Sequence, residues 1–352
     1  MLNLSYPISQ KIHQLEWLIQ TDPGLRGIHH IPENNLCSFT RGHLLKSAQF
    51  LAEHPGCQVG IATGFYIPEG NPPAPESDGP PGALFLARGL NELGYSVVLI
   101  TDSICAEPLQ QGLEFFGEKS IDLLEFPDSS VYQNKPVFTY SKKLLRFYQK
   151  YLKLKCLISL ERVGPSHTLE SFQAQLSKPG IEKIAQFEKD GPGELAGQCL
   201  NMQAKSVSEF TDPLHILFEE LTKLPNPLFT IGIGDGGNEI GMGSIPWHII
   251  SENILNGLGG KIACRVATDT TIVAGVSNWA GYALTAGLFA GFGRENDFLN
   301  IFSREKETKL LEEYCCTKSV VDGVKGIPAL SVDGIDWAVH LKILDLIKFL
   351  IS

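Results

Sequence analysis

Five short, largely apolar runs punctuate the chain: 59–62 (VGIA), 96–101 (SVVLIT), 156–160 (CLISL), 228–233 (LFTIGI) and 261–267 (KIACRVA). None shows the strict alternation of a strand with one wet face. Continuous apolarity marks strands covered on both sides, as in a parallel sheet. Helical patterns lie between them. Residues 81–93 (PGALFLARGLNEL) open on proline, carry apolar residues at 86, 90 and 93, and stop at Gly94. Strand–helix–strand order of this kind predicts an α/β fold, a doubly wound and mostly parallel Rossmann-like sheet with helices on both faces. The expected organisation is one catalytic domain over residues 1–352. Residues 1–40 read as an N-terminal helical arm and 103–155 as an insertion or cap. The last segment, IDWAVHLKILDLIKFLIS, reads as a terminal amphipathic helix.

One stretch imitates a membrane span. Residues 270–293 carry no charge, yet they hold five glycines, Ser277 and Asn278, and lack basic and aromatic flanks. A helix buried in the α/β core, with glycines admitting close backbone approach, fits better. Composition narrows the partners. With a hydrophobic fraction of 43%, a charged fraction of 19% and a net charge of −10, the chain can build a large core. Its acidic surface disfavours nucleic acid and anionic membranes. Self-association is compatible with the apolar fraction. The eight cysteines form no C-x-x-C pair and read as buried thiols of a reducing compartment. The first twenty residues lack a basic-then-apolar leader and any arginine, so the expected location is cytoplasmic.

In an open parallel sheet, ligands bind beyond the carboxyl ends of the strands. The five predicted strands deliver Thr63, Asp102, Glu161, Asp235 and Asp269 to that edge. Buried acids without partners are costly, so their clustering signals chemistry, although Asp102 and Asp269 also read as helix caps. The segment 232–243, GIGDGGNEIGMG, is the sharpest feature. It satisfies G-x-G-x-x-G after a strand. However, Asp235 and Glu239 would face a pyrophosphate, and Asp269 lies beyond the spacing of ~20 residues expected for a ribose-binding acid. No nucleotide cofactor is expected. Asp235, Asn238 and Glu239 instead suit a hard divalent cation, an ammonium group or acid–base chemistry. The proline-rich loop 66–81 reads as a stiff flap ending in Glu76 and Asp78, with free helix N-terminal amides for a carboxylate or phosphate. Thr63 and Gly64 would offer a hydroxyl and close backbone approach. Asn278, in VSNWAGYAL, reads equally as a core amide or a site residue. No Walker A, H-E-x-x-H or G-x-S-x-G motif occurs, and the histidines show no ligand spacing.

TGFY, ESDGPPGA, the Thr-Asp after the second strand, SLER, GIGDGGNEIGMG and GVSNWAGYAL, with DPGLRG upstream, together resemble the D-glutamate cyclase family. The resemblance spans residues 22–334. It implies a hydro-lyase converting D-glutamate to 5-oxo-D-proline with loss of water, on a similar α/β fold. Through an archaeal relative, it also points to a divalent metal with phosphatase chemistry. ESDG stands where the family has ETDG, and SLERVG where it has SIERPG.

Cyclisation needs a neutral amine, and it needs a γ-carboxyl group whose charge is neutralised. On that chemistry, Asp235 and Glu239 are expected to act in catalysis and bind Mg²⁺ or Mn²⁺, with Glu161 and Asp269 as further ligands. Asp78 is the expected general acid or base. Arg162 is the expected partner of the α-carboxylate, and Thr63, Gly64, Glu76, Asn238 and Asn278 complete the substrate pocket. Two other readings use the same crevice: an Mg²⁺- or Mn²⁺-dependent phosphohydrolase, and a non-catalytic amino-acid sensor.

Overall fold

The computed structural model describes residues 5–126, 154–176, 180–223 and 225–352. Six strands, β1 (Gln58–Thr63), β2 (Ser96–Asp102), β3 (Asp122–Phe126), β4 (Leu154–Leu160), β5 (Phe229–Gly234) and β6 (Thr270–Val273), form one sheet in the order β3-β2-β1-β4-β5-β6. Every pairing is parallel. This doubly wound order reverses direction between β1 and β4, which opens the ligand crevice there. The seven helices used below are α1 (Tyr6–Ile19), α2 (His43–Glu53), α3 (Pro80–Glu92), α4 (Ala106–Phe116), α5 (Ser277–Gly291), α6 (Arg304–Thr317) and α7 (Trp337–Ile351).

Continuous apolarity has the predicted cause. Val59, Ile61, Ile158 and Ile233 face one buried cluster, while Ala62, Val98, Leu157 and Val273 face the other. Both faces are therefore removed from water. The uncharged segment 270–293 is β6 followed by the wholly buried α5, which packs on α1, α2, α3 and α7. Among the described residues, no helix is long and apolar enough to cross a membrane. Helices α3 and α5 cross in near backbone contact. A Cβ on Gly82 would stand 2.7 Å from the Asn278 Cα, and one on Gly281 would stand 2.8 Å from the Gly82 carbonyl oxygen.

Three expectations change. Residues 261–267 are not a strand: Gly259–Ile262 forms a helical turn, and Thr270–Val273 takes the sheet position beside β5. The following extended stretch is already paired with loops, Cys264 N–H donating to Gly237 O and the N–H groups of Gly241 and Gly243 to Val266 O. The segment 103–155 is part of the domain as far as residue 126, where it supplies α4 and the edge strand β3; residues 127–153 lie outside the described residues. Within the N-terminal helical arm expected over residues 1–40, the described part packs on the core. Ile12, Leu15 and Ile19 of α1 are buried in the main core, and Glu16 accepts hydrogen bonds from Gly42 and Leu44 at the start of α2.

Candidate active site

Register brings the acids together. Thr63 pairs with Leu160, Leu160 with Ile233, and Gly234 with Val273, so Glu161 and Asp235 emerge side by side from adjacent strand ends. Glu161 leaves β4 with φ +46°, a left-handed conformation uncommon outside glycine, and its N–H donates to Ile233 O. The next residues pair with the acidic turn: Ile240 N–H donates to Arg162 O and Gly164 N–H to Asn238 O. Glu239 folds back into its own turn, where its carboxylate accepts from the N–H groups of Asp235 (3.0 Å), Gly236 (2.6 Å) and Gly237 (2.7 Å). The amides that would cradle a phosphate therefore hold a side chain of the same loop.

A cavity of about 320 Å³ opens onto this rim. Glu76, Glu161, Asn238, Asp333 and Arg26 line its polar part; Phe65, Ile67, Met202 and Val324 form its apolar wall. Behind it, Asp235 is fully buried, and neither of its oxygens has an aligned hydrogen-bond donor. Arg26 Nη1 lies 2.8 Å from Asp235 Oδ1 and its Nη2 lies 2.9 Å from Asp333 Oδ1. The first contact is thus an ion pair by distance only. Carboxylate oxygens of Glu161, Asp235 and Glu239 lie within 4.8 Å of one another, as do those of Asp78, Asp235 and Asp333.

So many acids in one dry place cannot all stay charged unaided. Burial, reinforced by Asp333 and Asp78, pushes the Glu76 carboxyl well above the usual carboxylate range. Burial with Glu239 and Asp78 does the same to Glu161. Asp78 is raised by burial and Asp333, against the pull of the Asn278 and Ser277 amides. Asp235 is raised by burial, with Arg26 opposing. Burial works against the Arg26 guanidinium, but the surrounding acids outweigh it and hold the cation firmly protonated.

Several expected residues take other places. Asp78 is 1% exposed and sits behind the rim, its oxygens accepting from Ser277 N and Asn278 N, both at 2.8 Å, at the start of α5. Asn278 returns the arrangement: its amide oxygen accepts from Gly79 N (3.0 Å) and Gly82 N (2.7 Å) at the start of α3. The two helices cap one another. Pro80 and Pro81 carry no N–H, so the first turn of α3 has no amide left for a substrate carboxylate or phosphate, contrary to expectation. The terminal nitrogens of Arg162 are spent as well. It pairs through both terminal nitrogens with Asp102 and donates to Gly64 O (2.9 Å) and Asp212 O (2.7 Å). Asp102, expected as a cap or rim acid, is that buried partner.

Asp269 lies at the opposite edge of the sheet. It precedes β6, where its carboxylate accepts from Thr230 N and Oγ1, both at 2.8 Å. It was assigned to the rim because 261–267 was read as a strand ending there. Thr63 keeps a buried hydroxyl without a partner. Gly64 has φ +115° and packs so tightly that a Cβ would meet Thr101 Oγ1 at 2.7 Å. Asn238 lines the cavity and donates to Leu200 O at 2.8 Å.

Sequence reasoning assigned no role to Arg26 or Asp333. DPGLRG was available as a motif, and Asp333-Gly334 reads as a turn. That turn is built around buried Asp322, which accepts from the N–H groups of Val324, Lys325 and Gly334 and from Ser331 Oγ.

A family model described as D-glutamate cyclase-like, C-terminal, matches residues 15–348. The human protein named D-glutamate cyclase, mitochondrial, is 31% identical over 290 residues, which cover 81% of this chain and 40% of that protein. The chain belongs to the D-glutamate cyclase-like family. It spans about 40% of the length of that relative. In this member of the family, the residues lining the acid-rich cavity are scattered between Gly24 and Asp333, within the matched region.

Proposed function

We propose that the protein is a hydro-lyase that cyclises D-glutamate to 5-oxo-D-proline with release of water. Family membership supports the reaction class, and one observation of the site carries it: a small cavity lined by the carboxyl groups of Glu76, Glu161 and Asp333 and facing the guanidinium of Arg26. A zwitterionic acidic amino acid supplies the complement, an ammonium group for the acids and a carboxylate for the cation.

Cyclisation demands two proton movements. The α-ammonium must lose one proton before its nitrogen can attack the γ-carbon and a second as the amide forms, and the γ-carboxylate must gain both for one oxygen to leave as water. Glu76 and Glu161 both line the cavity, and burial among other acids raises the pKa of both. A carboxylic acid of this kind donates to the departing oxygen, while a neighbouring carboxylate accepts from the ammonium. Crowded acids that share protons supply both forms at one pH, the condition for acid and base to act together. Asp78, capping α5, keeps helix and rim in register and is a positioning residue.

A divalent cation fits the same wall. Asp235 offers two buried oxygens without aligned donors, and carboxylate oxygens of Glu161 and Glu239 lie within 4.8 Å of it. An all-oxygen, anionic donor set is that of Mg²⁺ or Mn²⁺. Such an ion, held by Asp235 and Glu161, would withdraw charge from the γ-carboxylate.

The test is incubation with D-glutamate, with and without Mg²⁺ or Mn²⁺, followed by chiral chromatography of the product. Formation of 5-oxo-D-proline, lost in folded Glu161→Gln and Asp235→Asn variants, is the expected result. Phosphate release from an ester without cyclisation would replace the reading with hydrolysis, and D-glutamate binding without product would replace it with sensing. The capped first turn of α3 and the acidic wall both work against a phosphate substrate.

A further inference from the structure

We infer that Arg26, not Arg162, receives the α-carboxylate of the substrate and makes the site selective for α-amino acids. The inference rests on the cyclase reading. Of the two groups on glutamate that start as carboxylates, the γ-group must shed its charge to become an electrophile. The α-carboxylate stays anionic from substrate to product and needs a permanent cation. Arg26 is the one cationic side chain among the described residues lining the cavity, and a guanidinium remains charged throughout the accessible pH range. Arg162 is 1% exposed, with both terminal nitrogens committed to protein acceptors.

Arg26 is also held ready. Asp22 accepts from the Arg26 N–H (3.0 Å) and the Gly27 N–H (2.8 Å), and Leu255 N–H donates to Arg26 O (3.0 Å). Gly27 has φ +100° and passes so close that a Cβ would fall 2.1 Å from Asn253 O. The backbone is thereby pinned while the guanidinium faces the cavity between Asp235 and Asp333. Because the Asp235 contact is not an aligned hydrogen bond, the planar fork keeps N–H groups for a guest carboxylate. The α-ammonium, one carbon away, then falls among Glu76 and Glu161.

The test compares D-glutamate with 4-aminobutanoate, which keeps the amine and the reacting carboxyl but lacks the α-carboxylate, as substrates or competitive inhibitors. In Arg26→Gln, kcat/KM for D-glutamate should fall about 100-fold, mainly through KM, while 4-aminobutanoate changes less than about 3-fold. Arg26→Lys keeps a cation between Asp235 and Asp333, which guards the fold, and should recover part of the D-glutamate loss. An equal loss for both compounds in both variants, or no loss for D-glutamate, overturns the inference while leaving the cyclase reading standing. Failure of the wild-type protein to bind or convert D-glutamate overturns both.

Discussion

Replacing Asn278 by alanine tests the reciprocal capping that sets the rim. Its side chain is fully buried; its oxygen accepts from Gly79 N and Gly82 N, and its nitrogen donates to Ser77 O at 3.1 Å. Truncation strands the Gly82 amide and the Ser77 carbonyl at a tight helix crossing and leaves the Gly79 N–H only its bond to Asp78 Oδ1 at 3.1 Å. At roughly 1–3 kcal/mol for each of the two stranded groups, the loss should be about 2–6 kcal/mol, a large share of a typical 5–15 kcal/mol stability. Equilibrium urea unfolding, followed by tryptophan fluorescence, measures it. Asn278→Asp is the companion variant. It keeps an acceptor for Gly79 and Gly82 but turns a carboxylate oxygen against Ser77 O, beside Asp78. Its deficit should be largest at neutral to alkaline pH and shrink on acidification, because the buried added carboxyl has a raised folded-state pKa and its protonated form can donate to Ser77 O. A loss below about 1 kcal/mol for Asn278→Ala, or a pH-independent deficit for Asn278→Asp, would refute the capping argument.

Arg162→Met should fail as a folding variant rather than a binding variant. Breaking its buried pair with Asp102 costs about 3–5 kcal/mol, so chemical denaturation should detect the change, whereas any folded fraction keeps an ordinary KM. Asp269→Asn, on the far edge of the sheet, should cost about 1–3 kcal/mol through the Thr230 contacts and leave turnover within about 2-fold; a selective loss of cation binding would return Asp269 to the site. His340 is buried, its Nδ1 accepts from Trp279 Nε1 at 3.0 Å, and burial depresses its pKa to about 3. Its contribution is complete above the unfolded-state value of about 6.5 and drains away as pH falls towards 3. The stability advantage of wild type over His340→Gln should therefore shrink by about 2 kcal/mol between pH 7 and pH 5 in urea titrations, and an unchanged difference would contradict the burial of a neutral ring.

Much of the architecture was legible because it is local. Apolar runs such as CLISL and LFTIGI have the composition of strands with two dry faces, and the acids immediately after them inherit one edge of the sheet. The uncharged α5 was recognisable as a core helix because glycines and Asn278 make sense only where another helix presses close. What escaped was set by distant partners. KIACRVA has strand composition, yet its backbone is taken by the glycine-rich turn, and the more β-branched TTIV wins the sheet edge; that error carried Asp269 to the wrong side. Arg162 looked free because Asp102 lies 60 residues away in sequence. Arg26 and Asp333 come from opposite ends of the chain, and their meeting beside Asp235 follows only from the closed fold.

Buried carboxyl groups arranged around a positively charged guest should take up a divalent cation. Titrating Mn²⁺ into the protein and following the free-ion signal by electron paramagnetic resonance tests it most directly. Saturable uptake of one ion per chain, abolished in a folded Asp235→Asn protein but preserved in Asp269→Asn, is the predicted result. Uptake that ignores Asp235, or no uptake by the wild-type chain, would contradict it.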